Sequence, residues 1–239
     1  DLYPVLYAAE TPVSHSYEQS SLASAIYADG LTPRGLRGAR VIDLGCGYGT
    51  TTVALARFNP QLIVALDNSA PMTDLMQAVL LTDENLDAWL KARGAEEVLR
   101  DLYPATLQHL EARRAEFRSG VFSRSGGRLQ IRTLGWLETL SISLEGFEAV
   151  VANNVFHWPV NQGKAGMKKE RPETPEEELT DQAVVVSLKI FNQLLVQGGV
   201  AVLMEPNDFV TIDTEPAWEA DLEAHAMANH PVFVGFNSI

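Results

Sequence analysis

A single cysteine, Cys46, stands in the whole chain. No internal disulfide can form, which favours a reducing compartment and leaves stability to a packed core. Long apolar runs are missing as well. None approaches the roughly 20 residues needed to cross a bilayer, so the expectation is a cytoplasmic protein without a membrane partner. Cations are scarce: Lys and Arg number 18 against 31 Asp and Glu, a net charge of −13. Binding to a phosphate backbone needs clustered cations, so nucleic acid is disfavoured as a partner. Arg113, Arg114, Arg118, Arg124 and Arg128 form a candidate basic patch, but a solvated helix face explains them better. No Ser-His-Asp or Cys-His arrangement presents itself, and no internal repeat. His225 and His230 lie near Glu223, but Pro231 breaks the helix that would present them together, so no metal site is expected. The start, Asp1-Leu2-Tyr3-Pro4, carries neither an initiator Met nor a charged-then-apolar signal pattern and reads as a trimmed terminus.

What is there is ordinary globular composition, 46% hydrophobic over 239 residues, enough for one domain or one domain with an insertion. Its most informative stretch is Val41-Ile42-Asp43-Leu44-Gly45-Cys46-Gly47-Tyr48-Gly49. β-capable residues end at an acid, glycines follow at alternate positions, and a helix is predicted from Thr50 to Phe58. A strand feeding a glycine loop that opens a helix lets backbone N–H groups approach a polar ligand closely. A dinucleotide fingerprint beginning at Gly45 would need glycine where Thr50 stands, and the Gly-Lys-Ser/Thr of a P-loop is absent. A second apolar run, 62–66, ends at Asp67. In a doubly wound sheet an acid there reaches the ribose hydroxyls of a nucleoside held at the first strand.

Asp-x-Gly-x-Gly-x-Gly, followed by that acid, resembles the S-adenosylmethionine (SAM) loop of the class I methyltransferases. The resemblance covers roughly 17–206. It implies an α/β, doubly wound, mostly parallel sheet, with SAM as cofactor held by Asp43, Gly45, Cys46, Gly47, Tyr48, Gly49, Asp67 and Asn68. Met72 packs on the base in such proteins. Cys46 reads as small rather than as a nucleophile. Many relatives carry an acid after the third strand to bind adenine; here Trp136 stands at the matching position, with Glu138 beside it. Asn153 and Asn154, after the fourth strand, are candidates for the methionine end of SAM, and Tyr17 for a cover from the N-terminal helix. Catalytic candidates are His157, whose ordinary pKa suits a general base, and Glu205 at the end of the fifth strand. Trp158 is a candidate pocket wall.

The coarse organisation follows. A helix over 17–29, stopped by Gly30, lies in an N-terminal helical segment, 1–38; the SAM domain is 39–239. Strands are predicted at 39–44, 62–66, 129–133, 147–152 and 200–204, with a further one at 232–234. Too many residues separate Asp67 from the third strand for one crossover helix, so a helical insertion at about 72–120 is expected as a lid, a scaffold or a homodimer surface. The stretch 161–178 reads as a mobile loop, 180–196 as a helix, and 215–228 as another. The implied activity is methyl transfer from SAM to a small molecule, with an oxygen or nitrogen acceptor favoured over carbon. A SAM-binding sensor without turnover is the alternative, and an NAD-dependent oxidoreductase is disfavoured by Thr50.

Overall fold

The computed structural model describes residues 2–10, 15–135, 138–139, 146–153, 155, 165, 167–205 and 230–234. Five runs rich in Val, Ile, Leu and Ala become parallel strands: β1 (Arg40–Leu44), β2 (Leu62–Asp67), β3 (Arg128–Thr133), β4 (Phe147–Asn153) and β5 (Leu195–Glu205). A sixth strand, β6 (His230–Val234), runs antiparallel to β5. The order is β3-β2-β1-β4-β5-β6. The chain therefore winds outward from β1 through β2 to β3, then crosses back to β4 on the other side of β1. Ligands in open sheets of this kind sit beyond the carboxyl ends of the strands at that reversal.

Successive strand residues face opposite sides of a sheet, and here both sides are buried. Val41, Ile63, Ala65, Ala149, Val151 and Val202 enter one apolar cluster. Ile42, Leu44, Val64, Leu66, Val150, Ala152 and Leu203 enter the other. The first face is covered by α1 (Tyr3–Glu10), α2 (His15–Leu31), α3 (Thr50–Ala56), α4 (Ala70–Leu80), α5 (Leu86–Lys91), α6 (Ala95–Leu99), α7 (Tyr103–Ser119) and α8 (Val121–Arg124). The second is covered by α9 (Glu176–Leu194), through Ala183, Ile190, Phe191 and Leu194.

The segment between β2 and β3 is helical, as its length and stop signals predict. Leu86, Leu90, Leu99, Tyr103, Leu110 and Phe117 bury their side chains in the same cluster as β1 and β2. The insertion thus continues the main core. Three of the arginines read as a candidate patch are spent inside this layer. Arg114 donates from Nε to Val79 O at 3.1 Å, from Nη2 to Ala78 O at 2.7 Å and from Nη1 to Glu84 O at 2.8 Å. These carbonyls lie at and after the end of α4, where a helix leaves its last C=O groups without partners. Arg118 reaches Thr82 O and pairs with Asp83. Arg113 is buried.

Local boundaries differ from expectation in three places. α2 runs through Gly30 to Leu31, because an exposed glycine in a last turn costs only about 1 kcal/mol. The helix expected to reach 196 ends at Leu194, and Leu195 is already extended (φ −84°, ψ 143°). β5 then carries Gly198 at φ +76°, and its pairing with β4 shifts register between Phe147 and Ala149, as a bulge requires. In the stretch expected to be a loop, 167–170 is helical and α9 begins at Glu176. The helix expected at 215–228 lies outside the described residues.

Candidate functional site

The glycine loop is held from below. The N–H groups of Gly45 and Cys46 both donate to Leu66 O, at 2.7 and 2.9 Å, which ties the loop to the end of β2. Gly45, Gly47 and Gly49 take φ of +77°, +51° and +100°, a region that costs any residue with a Cβ. Space adds to the demand at two of them. A Cβ on Gly45 would come within 2.2 Å of Val155 Cγ2, and one on Gly49 within 3.1 Å of Leu80 and Met76. At Gly47 nothing among the described residues lies within 4 Å of that point. This is the open side of the loop.

Asp67 faces it. Its Oδ2 accepts the Gly47 N–H at 2.8 Å and its Oδ1 accepts the Ser69 N–H at 2.9 Å. The carboxyl is partly buried, and burial raises its pKa above the ordinary value while the two N–H bonds oppose the rise. Each oxygen keeps a lone pair for a further donor. Ser69 also caps α4, accepting from the Met72 N–H at 3.4 Å. The Met72 side chain is buried and Asn68 is exposed.

Asp43 sits differently. It is 1% exposed, and the Thr52 hydroxyl donates to its Oδ2 at 2.5 Å. Burial pushes its carboxyl up to about 7, against the Thr52 bond and with help from the nearby charge of Asp67. Its place is beneath the loop, as a support joining β1 to α3. Cys46 is buried too; burial, then Asp43 and Asp67, raise its thiol well above the usual range. A thiol so placed stays protonated and unreactive.

The Tyr48 side chain is 1% exposed and points into the helical layer. Its ring meets Tyr7 of α1 edge-on at 6.2 Å and His109 of α7 at 6.3 Å, and the Arg113 guanidinium lies 5.0 Å from its centroid. Asn153 is also inside, 2% exposed. Its amide donates to Ser20 Oγ at 3.2 Å and Ser21 Oγ at 3.0 Å, and its Oδ1 accepts from Ser24 Oγ at 3.3 Å. Ser21 continues to Thr51 at 3.0 Å. Asn153 therefore pins α2 across β4 and α3, which sequence reasoning did not foresee. The signal was Ser20, Ser21 and Ser24 along one helical face among alanines.

Of the other expected site residues, Tyr17 belongs to α2 and Glu205 closes β5 in register with His230, but their side chains lie outside the described residues. So do Trp136, Asn154, His157 and Trp158 entirely. Among the described residues no group of acids, histidines or cysteines is arranged to hold a metal, and no helix is long and apolar enough to cross a membrane.

A family model described as the methyltransferase small domain matches residues 9–107, which takes in the glycine loop, Asp67 and α2 to α6. That match takes in less than half of the chain; with the strand order above, it makes the chain similar to the Rossmann-like, class I methyltransferases. SAM is the cofactor of that class. No curated protein matches the sequence. Among solved structures, the CcbJ methyltransferase from Streptomyces caelestis is 15% identical, with 79% of this chain and 52% of that one covered and a TM-score of 0.44. Magnesium protoporphyrin IX methyltransferase (ChlM) from Synechocystis PCC 6803, solved with bound SAM, is 14% identical, with 82% and 62% covered and a TM-score of 0.43. The YcgJ protein of Bacillus subtilis is 16% identical, with 79% and 53% covered and a TM-score of 0.37. The chain spans about half the length of the first of these solved structures.

Proposed function

We propose that the chain binds SAM at the glycine loop and transfers its methyl group to a small-molecule oxygen or nitrogen acceptor. The observation that supports this most is the meeting of Asp67 with the Gly47 N–H at the open side of the loop, 2.8 Å apart. An acid with spare acceptor capacity stands beside a backbone that has room above it, as a ribose with adjacent hydroxyl donors requires. Gly47 and Asp67 would hold the nucleoside, and Asn68 would line its exposed side. Asp43, Thr52 and the two N–H bonds to Leu66 keep the loop in shape. When bound, SAM supplies a methyl group already activated on a sulfonium, so the protein gains most by aligning the acceptor and excluding water. His157 and Glu205 are the proposed groups for the acceptor's proton. The charge of −13 supports a small molecule over nucleic acid as the acceptor.

Calorimetric titration with SAM, its demethylated product and NAD tests the reading. Saturable binding of SAM and of the product, with none of NAD, is expected. Binding of NAD alone would sink it. SAM binding without turnover across a panel of small hydroxyl and amine acceptors would turn the proposal toward a sensor.

A further inference from the structure

Tyr48 leaves the glycine loop for the helical layer, and the groups that receive it form a chain of contacts through α7 to α2. Its hydroxyl lies 3.5 Å from His109 Nε2, and Arg113 Nη2 lies 3.0 Å from the same nitrogen. Arg113 Nη2 also donates to Glu18 Oε1 at 3.1 Å, and His109 Nδ1 stands 3.7 Å from that oxygen. A guanidinium can only donate. His109 Nε2 must therefore offer its lone pair, which makes the ring neutral and puts its proton on Nδ1, toward Glu18. The Tyr48 hydroxyl is a second donor at Nε2, at the outer limit of a hydrogen bond.

A second proton on this ring would set an N–H donor against the Arg113 guanidinium at 3.0 Å, with two positive charges in contact. One of the two side chains must then move. Arg113 is buried and lies 5.0 Å from the Tyr48 centroid, so its displacement reaches the ring that anchors the loop. Water has access, because the His109 side chain is 14% exposed and lines a cavity between α2, α3 and α7. Arg57 of α3 and Glu116 of α7 line that cavity too, paired with each other at 2.6 Å, and α1 brings Tyr7 edge-on to Tyr48. Among the described residues, Arg113 and Glu18 are the charges felt at the ring; burial, then Arg113, lower its pKa from the ordinary 6.5, and Glu18 opposes them. We propose that neutral His109 is a positioning residue for the cofactor loop: it seats Arg113 and Tyr48, and taking up a proton loosens the site. This rests on the reading of the glycine loop as the SAM site. SAM affinity is then whole while His109 is neutral and falls as pH drops below its ordinary 6.5.

The test is calorimetry with SAM at about pH 7.5 and about pH 5, on the full chain and on His109→Gln. Glutamine keeps an acceptor for Arg113 and cannot gain a proton. Asp43 and Asp67 are present in both proteins, so a difference between the two pH responses belongs to His109. Between the two pH values, wild-type affinity should fall about fivefold to tenfold more than the variant's, the worth of one hydrogen bond. Equal falls would overturn the proposal and leave the SAM site standing. Absence of SAM binding at both pH values would overturn the proposal and the SAM site together. A second measurement needs no ligand. Nitrogen NMR of the histidine rings in the wild-type chain should show one that carries its neutral-form proton on Nδ1 and titrates below 6.5. That signal should be missing from His109→Gln, whose fold circular dichroism checks. Neutral-form protons on Nε2 in all five histidines would overturn the proposal.

Discussion

Two aspartates stand near the carboxyl ends of adjacent parallel strands, and they do opposite work. Asp43 of β1 pairs in register with Ala65 of β2, so Asp67 stands two positions further toward the carboxyl edge. Two residues of strand are about 6–7 Å. That offset puts Asp43 under the glycine loop and Asp67 beside it. One carboxyl is sealed in, bonded only by the hydroxyl and backbone of Thr52, and is driven up to about 7. The other is partly exposed, takes two backbone N–H groups, and keeps acceptor capacity for a ligand. Depth at the sheet edge, more than residue type, separates a loop support from a binding group.

The largest expected effect tests the buried member. A carboxyl whose folded-state pKa lies above its usual 3.8 favours folding in its neutral form. That stabilisation is whole below pH about 4 and is lost as pH rises through about 7, a swing of roughly 4 kcal/mol. Asp43→Asn cannot ionise, so its stability should gain on the wild type by roughly 3 kcal/mol between about pH 4.5 and pH 8, the part of the swing that lies above pH 4.5. Urea unfolding at the two pH values measures it, and parallel profiles for the two proteins would show that Asp43 is not sealed as described.

A smaller effect tests the exposed member. Asp67→Ala should weaken SAM binding by roughly 1–3 kcal/mol, the worth of hydrogen bonds to a charged acceptor. Calorimetry reads this directly, and an unchanged affinity would remove Asp67 from the site. The smallest effect sharpens the contrast from below. Thr52→Val deletes the one hydroxyl that opposes the rise at Asp43. Its cost should be about 1 kcal/mol larger near pH 8 than near pH 4.5, because a bond to the ionised form is the stronger one. Equal costs at both values would mean that Thr52 does not hold the charged carboxylate.

Legibility followed the range of the interactions. The glycine loop was readable because three left-handed backbone positions in five residues leave a local mark. The two sheet faces were readable because apolar strand runs have few other uses. The resemblance makes Asn153 a candidate for the methionine end of SAM, yet the structure gives its amide to Ser20, Ser21 and Ser24, more than a hundred residues away. The arginines of α7 read in the sequence as a solvated helix face, yet Arg114 closes the carbonyl end of α4. Polar side chains do not announce their partners, because a hydrogen bond depends on distance in space and carries no period along the chain.

By itself, the sequence determined the strand-loop-helix at Asp43 to Thr50, the acid at Asp67, and a helical layer between β2 and β3. Each rests on backbone conformation or apolar periodicity, which are local properties. Only the tertiary structure decided that Asp43 lies beneath the loop and Asp67 beside it, that Tyr48 turns away into α1 and α7, and that His109 meets both Arg113 and Glu18. Those facts depend on register between strands and on packing between distant helices, where burial and pairing set the role of each polar group.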